Sequence, residues 1–179
     1  MAFLFAPSSM PKRLSILLLP LLVLLATSCQ EFDNPFYEPV FVLSLHEFEN
    51  PMLAKSKLVT HVQDTNLHHE RSIRRFPFLD ARHCPEAKMY GPAQNGLYGI
   101  HLHVSPWQVH AMQQIAGNNA GLIYAVAVDG MYVGYSHFTR EMIVGDVCTI
   151  EPIWTEQQAR NIVEHVHRNF RSLNDWKHK

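Results

Sequence analysis

Residues Gly121 to Phe138 read GLIYAVAVDGMYVGYSHF. Two apolar runs, Leu122 to Val128 and Met131 to Phe138, face each other across Asp129-Gly130. Asp and Gly tolerate positive φ, which both central positions of a two-residue hairpin turn require. The stretch therefore predicts an antiparallel hairpin. It carries no phosphate loop. Its only adjacent pair of reactive types is Ser136-His137, and strand alternation sends neighbours to opposite faces.

The flanks extend the pattern. Leu97 to Val104, LYGIHLHV, alternates, with Ile100, Leu102 and Val104 on one face and His101 and His103 on the other. Ser105, Pro106 and Gln108 then predict a capped helix start. That helix should run to about Ala116 and stop at Gly117-Asn118-Asn119 in a left-handed cap. Trp107, Ala111, Met112 and Ile115 should face the core. Met142 to Ile150 reads as a third strand with a bend or bulge at Gly145. Thr155-Glu156-Gln157-Gln158 predicts a second capping box, opening a helix that buries Ala159, Ile162, Val163, Val166 and Phe170. Strand, helix, three strands and helix make an α+β fold, an antiparallel sheet with helices packed on one face.

Upstream, Val40 to His46 and Lys57 to Asp64 are strand candidates. Asn66 to Arg75 is charged and reads as exposed. Asp80 to Tyr90 suggests a short helix broken by Pro85.

The first 28 residues stand apart. Lys12 and Arg13 precede LSILLLPLLVLLATS, a run too short for a comfortable membrane span and interrupted by Pro20. A basic pair, an apolar stretch and small residues make a secretory signal. A start at Met10 gives a cleaner signal than one at Met1. Ala26-Thr27-Ser28-Cys29 looks like a bacterial lipobox, with Ala26 where a large aliphatic is usual. It predicts cleavage before Cys29 and lipid on that cysteine. Residues 29–39 are polar and aromatic and read as a tether, leaving 40–179 as a single domain. This organisation places the protein in the bacterial cell envelope, facing the periplasm, with the membrane as its first partner.

Composition bounds the function. Apolar residues make up 47%, charged residues 17%, and the formal net charge is −1. No basic face suits nucleic acid. Cys84 and Cys148 are left outside the cytoplasm, either as a disulfide or as two separate buried thiols. His101 and His103 share a strand face, either as two metal ligands or as a solvent-facing pair. No H-E-x-x-H, C-x-x-C or other cofactor motif is present, so no cofactor is expected. Tyr132 and Tyr135 are either packing residues or an exposed aromatic surface for a protein partner.

Four stretches in this order, GIHLHVSPWQVHAM, IYAVAVDGMYVGYSHF, IVGDVCTI and WTEQQARNIV, resemble the head of the large periplasmic P1 domain of SecD, a membrane subunit that assists the Sec translocase. The resemblance spans residues 77–170. The chain departs from the family pattern at Gly134-Tyr135-Ser136, where a proline is usual, and at Pro152, where glycine is. It also lacks the membrane helices through which SecD uses proton flow. The resemblance therefore implies a stand-alone lipoprotein keeping the head's contact role, a non-catalytic module that binds a protein or polypeptide and is linked to protein export. A His-rich metal-binding lipoprotein and a hydrolase with an unrecognised site are the alternatives.

Overall fold

A computed structural model describes residues 37–49, 59–64, 69–119 and 121–175. The chain divides into two units, residues 1–37 and 38–179. The signal segment, Cys29 and most of the tether lie outside the described residues.

The second unit runs β1 (Leu43–Glu47), β2 (Val59–Asp64), β3 (His69–Arg74), β4 (Leu79–Asp80), β5 (Glu86–Tyr90), β6 (Tyr98–His103), α1 (Pro106–Asn118), β7 (Ile123–Val128), β8 (Met131–His137), β9 (Ile143–Val144), β10 (Val147–Trp154) and α2 (Glu156–Asn174). Every ladder is antiparallel. The fold is α+β, as the order of elements predicts. The expected single sheet is instead two four-stranded sheets, β4-β1-β7-β8 and β5-β6-β10-β9, with β2-β3 as a separate ribbon.

One core joins both sheets and both helices. Leu45 and Tyr124 from the first sheet meet Ile100, Leu102 and Ile150 from the second, with Met112 of α1 and Ile162 of α2. All seven are no more than 2% exposed. Ala125 on the other side of β7 belongs to a smaller cluster with Val62 and Ile73, flanked by Phe48 and Tyr132. Small side chains on that face let the β2-β3 ribbon lie close.

The central hairpin forms as its sequence requires, with φ of 52° at Asp129 and 74° at Gly130. Asp129 does more than turn the chain. Its carboxylate accepts from the backbone N–H groups of Phe41 and Val42 at 3.1 and 2.8 Å, fastening the start of the domain to the hairpin. Asn169 of α2, fully buried, donates to the Val40 carbonyl at 2.8 Å.

The two helices differ from each other. At α2 both capping-box bonds form: Thr155 Oγ1 accepts from the Gln158 N–H, and Gln158 Oε1 accepts from the Thr155 N–H. Ala159, Ile162 and Val166 are buried, and Val163 and Phe170 half-buried. At α1, Ser105 occupies the N-cap position but its side chain makes no capping bond. Gln108 turns inward and donates to the Phe78 carbonyl instead. Trp107 is 81% exposed rather than in the core, which Val109, Met112 and Ala116 enter at helical spacing. The helix ends at Asn119 with φ −117°, not in a left-handed cap. The Asn119 side chain and N–H both donate to the Ile115 carbonyl, which removes the need for one.

Three further expectations change. Asp80 to Tyr90 holds one 3₁₀ turn, Ala81–His83, and then the strand β5. Pro85 ends the turn and the chain leaves extended. Met142 to Ile150 is two strands, because Gly145, with φ 64°, makes a tight reversal and not a bend. Part of the charged segment Asn66 to Arg75 is β3, paired with β2 over six residue pairs.

Candidate functional site

β8 is the outer strand of its sheet. Its register with β7 slips by one: Val126 pairs with Gly134 and Ala127 with Tyr132, leaving Val133 as an extra residue. The bulge decides where the tyrosines go. Tyr132 and Tyr135 are three apart, so strict alternation would place them on opposite faces. With Val133 bulged out they stand opposite Ala127 and Ala125, on one face. Tyr132 meets Phe48 edge-on with ring centroids 6.4 Å apart. The Arg71 guanidinium lies 5.2 Å from the Phe48 ring centre and 5.9 Å from that of Tyr135. Both tyrosines thus have packing partners from the β1–β3 region, and Tyr135 keeps 36% of its surface exposed.

Across from β8 runs the distal half of β10. Its ladder with β6 breaks between Ile150 and Trp154, and Pro152 there has no N–H to donate. The break re-aims Glu151 at β8. One oxygen, Oε2, accepts from the Ser136 hydroxyl at 3.3 Å, the His137 N–H at 3.2 Å and His137 Nδ1 at 2.8 Å. The Glu151 N–H donates back to Ser136 Oγ at 3.2 Å. Beyond this point the two strands part. They leave a groove of about 430 Å³ walled by Tyr132, Val133, Gly134 and Tyr135 on one side and Glu151, Pro152 and Ile153 on the other. Asn95, which donates to the Pro152 carbonyl at 3.4 Å, and Leu97 close its end.

Ser136, His137 and Glu151 are the residue types of a hydrolytic triad in the wrong order. A triad needs the imidazole on the serine hydroxyl. Here the carboxylate stands between them, Ser136 is fully buried, and no bond links it to His137. The arrangement is a polar tie between two sheets. Alternation along the strand would send Ser136 and His137 to opposite faces, but both side chains reach the same Glu151 oxygen. Glu151 is a residue that sequence reading misses, because only the irregularity in β10 brings it into reach.

His101 and His103 do share the outer face of the second sheet. The Nδ1 of His101 bonds Thr149 Oγ1 at 2.9 Å, and that of His103 bonds Asp146 at 3.2 Å. Burial, then the nearby His103, pushes the His101 pKa down. The His103 hydrogen bond holds the Asp146 carboxyl below its usual range. Among the described residues, no three His, Cys, Asp or Glu side chains converge on a point where a metal could sit. Tyr90 covers the face further along: its ring stacks on His101 at 4.3 Å and its hydroxyl donates to the Ile150 carbonyl at 3.1 Å.

Cys84 and Cys148 are both buried and free. Burial, then the Asp80 charge, pushes the Cys84 thiol up to about 12. Burial, then Cys84 itself, raises Cys148 as well. A thiol so raised holds almost no thiolate at neutral pH, so neither is an activated nucleophile. In this structure the two cysteines stand as separate thiols.

No family model matches the chain, and no curated protein does. The chain matches solved structures, two of which are of SecDF. One is a membrane component, SecDF, that enhances protein export, at 15% identity and a TM-score of 0.48, covering 73% of this chain and 63% of that one. The other is SecDF in a super-membrane-facing form, at 14% identity and a TM-score of 0.50, covering 71% of this chain and 18% of that one. This chain thus spans under two thirds of the first and about a fifth of the second. The second likeness shows a SecD-like fold and no more. Among the described residues no helix is long and apolar enough to cross a membrane.

Proposed function

We propose that the chain is a lipid-anchored, non-catalytic module of the bacterial cell envelope that holds an extended stretch of polypeptide in the groove between β8 and β10. The observation that carries this reading is the edge of β8. It is seven residues long and apolar at Met131, Val133 and Tyr135, and no neighbouring strand pairs with its outer side among the described residues. Such an edge is a template for an added strand. The SecD-like fold supports a link with protein export, and the Ala26–Cys29 sequence supports the lipid anchor. Non-catalytic action fits the raised thiols and the misordered Ser136–Glu151–His137 tie.

The test is site-specific photo-crosslinking in intact membranes. A benzophenone side chain at Val133 should capture a passing secretory polypeptide, and one at Lys88, on the outer face of the second sheet, should not. Equal capture at both positions, or none at Val133, would overturn the reading. Cys29→Ser checks the anchor separately: the variant should leave the membrane fraction, and unchanged fractionation would contradict lipidation.

A further inference from the structure

We infer that Glu151 is a latch that sets how far along β8 another strand can pair. The inference rests on the reading of the groove as a polypeptide site. Phe138 exchanges backbone bonds with the segment before β7, donating to Leu122 and accepting from Gly121. Outward and inward groups alternate along an antiparallel strand. The His137 N–H therefore points away from β7, as its bond to Glu151 requires. The Tyr135 N–H points the same way, into the groove.

An incoming strand that paired with Tyr135 would need the His137 N–H next, two residues on. Glu151 holds that N–H already, and the same oxygen holds the His137 ring and the Ser136 hydroxyl. The groove walls part on the Gly134 side of this tie, where an added methyl at Gly134 would meet only Ile153, at 3.6 Å. Among the described backbone bonds outside the named strands, none joins β8 to β10. The carboxylate is thus the tie at that end of the groove. With it in place, pairing stops at Tyr135. Without it, the edge of β8 lengthens to His137 and the groove opens toward Thr139.

Two variants and two readouts test this. Glu151→Gln keeps the volume and removes the charge, whereas Glu151→Ala removes the acceptor. Amide hydrogen exchange, resolved at His137, should speed up about tenfold in Glu151→Ala, the scale of one lost bond to a charged group. Glu151→Gln should fall between. The rate at Tyr124, inside the sheet, should not change and serves as the folding control. No change at His137 in either variant overturns the latch. In the second readout, membranes are supplied with a radiolabelled, unfolded secretory precursor, and photo-crosslinkers are placed at Val133 and Thr139. The parent chain should capture it at Val133 only, and Glu151→Ala at both. Capture confined to Val133 in Glu151→Ala overturns the latch and leaves the groove reading standing. No capture at Val133 in either chain overturns the groove reading itself, while the exchange rates still decide whether Glu151 closes that end.

Discussion

Gly99 and Gly134 both lie inside strands, one in each sheet, and the structure treats them oppositely. A Cβ on Gly99 would overlap the Tyr90 ring, which lies across the backbone there and reaches the Ile150 carbonyl. A Cβ on Gly134 would meet one methyl group of Ile153 at ordinary contact distance. The missing side chain of Gly99 is thus supplied from within the molecule. That of Gly134 becomes part of a groove. The same break in β10 serves both outcomes: it frees the Ile150 carbonyl for Tyr90 and turns Glu151 toward β8. The outer face of the second sheet is closed by its own side chains, and the edge of the first is left for something else.

The comparison presumes that one core holds the two sheets together, so its harshest test is there. Ile162 is 2% exposed in that core. Ile162→Asp would bury a carboxylate without a partner and should cost more than about 4 kcal/mol. A thermal melt that stays near the parent's would mean α2 does not cover the sheets as described. Next comes the filled glycine. Gly99→Ala should displace Tyr90, losing its hydrogen bond and its stack on His101, about 2 kcal/mol together. Denaturant titration checks this, and Tyr90→Phe should show only the hydrogen-bond part of that loss.

The helix caps give a smaller contrast. Thr155→Ala removes a formed capping bond and should cost about 1 kcal/mol. Ser105→Ala removes none and should stay within ~0.5 kcal/mol. Equal losses would show that Ser105 caps α1 after all. The smallest effect belongs to the open glycine. Gly134→Ala should change stability by less than about 0.5 kcal/mol. A loss as large as that of Gly99→Ala would erase the distinction between the two sites.

What the sequence reveals follows the range of the interactions involved. The Asp129-Gly130 turn and the Thr155 cap are set by residues within four positions of each other, and both form as read. Alternation in Leu97 to Val104 places His101 and His103 correctly on one face. Long-range demands are not visible in this way. Ser105, Pro106 and Gln108 spell a capping box, yet the Phe78 carbonyl, thirty residues away, claims Gln108. Tyr132 and Tyr135 can be named as a pair, but only the bulge at Val133 puts them on one face. Glu151 carries no local signal at all, since its importance depends on a ladder break and on a strand fifteen residues earlier.

The central claim, that the edge of β8 and not the face of the second sheet receives a polypeptide, is tested most directly by amide-resolved NMR. The isotope-labelled protein would be titrated with a reduced, unfolded secretory precursor. Shift changes should gather on Tyr132 to Tyr135 and on Glu151 and Ile153, and should spare Glu86, Lys88, His101 and His103. Changes centred on those four, or none anywhere at saturating precursor, would contradict it.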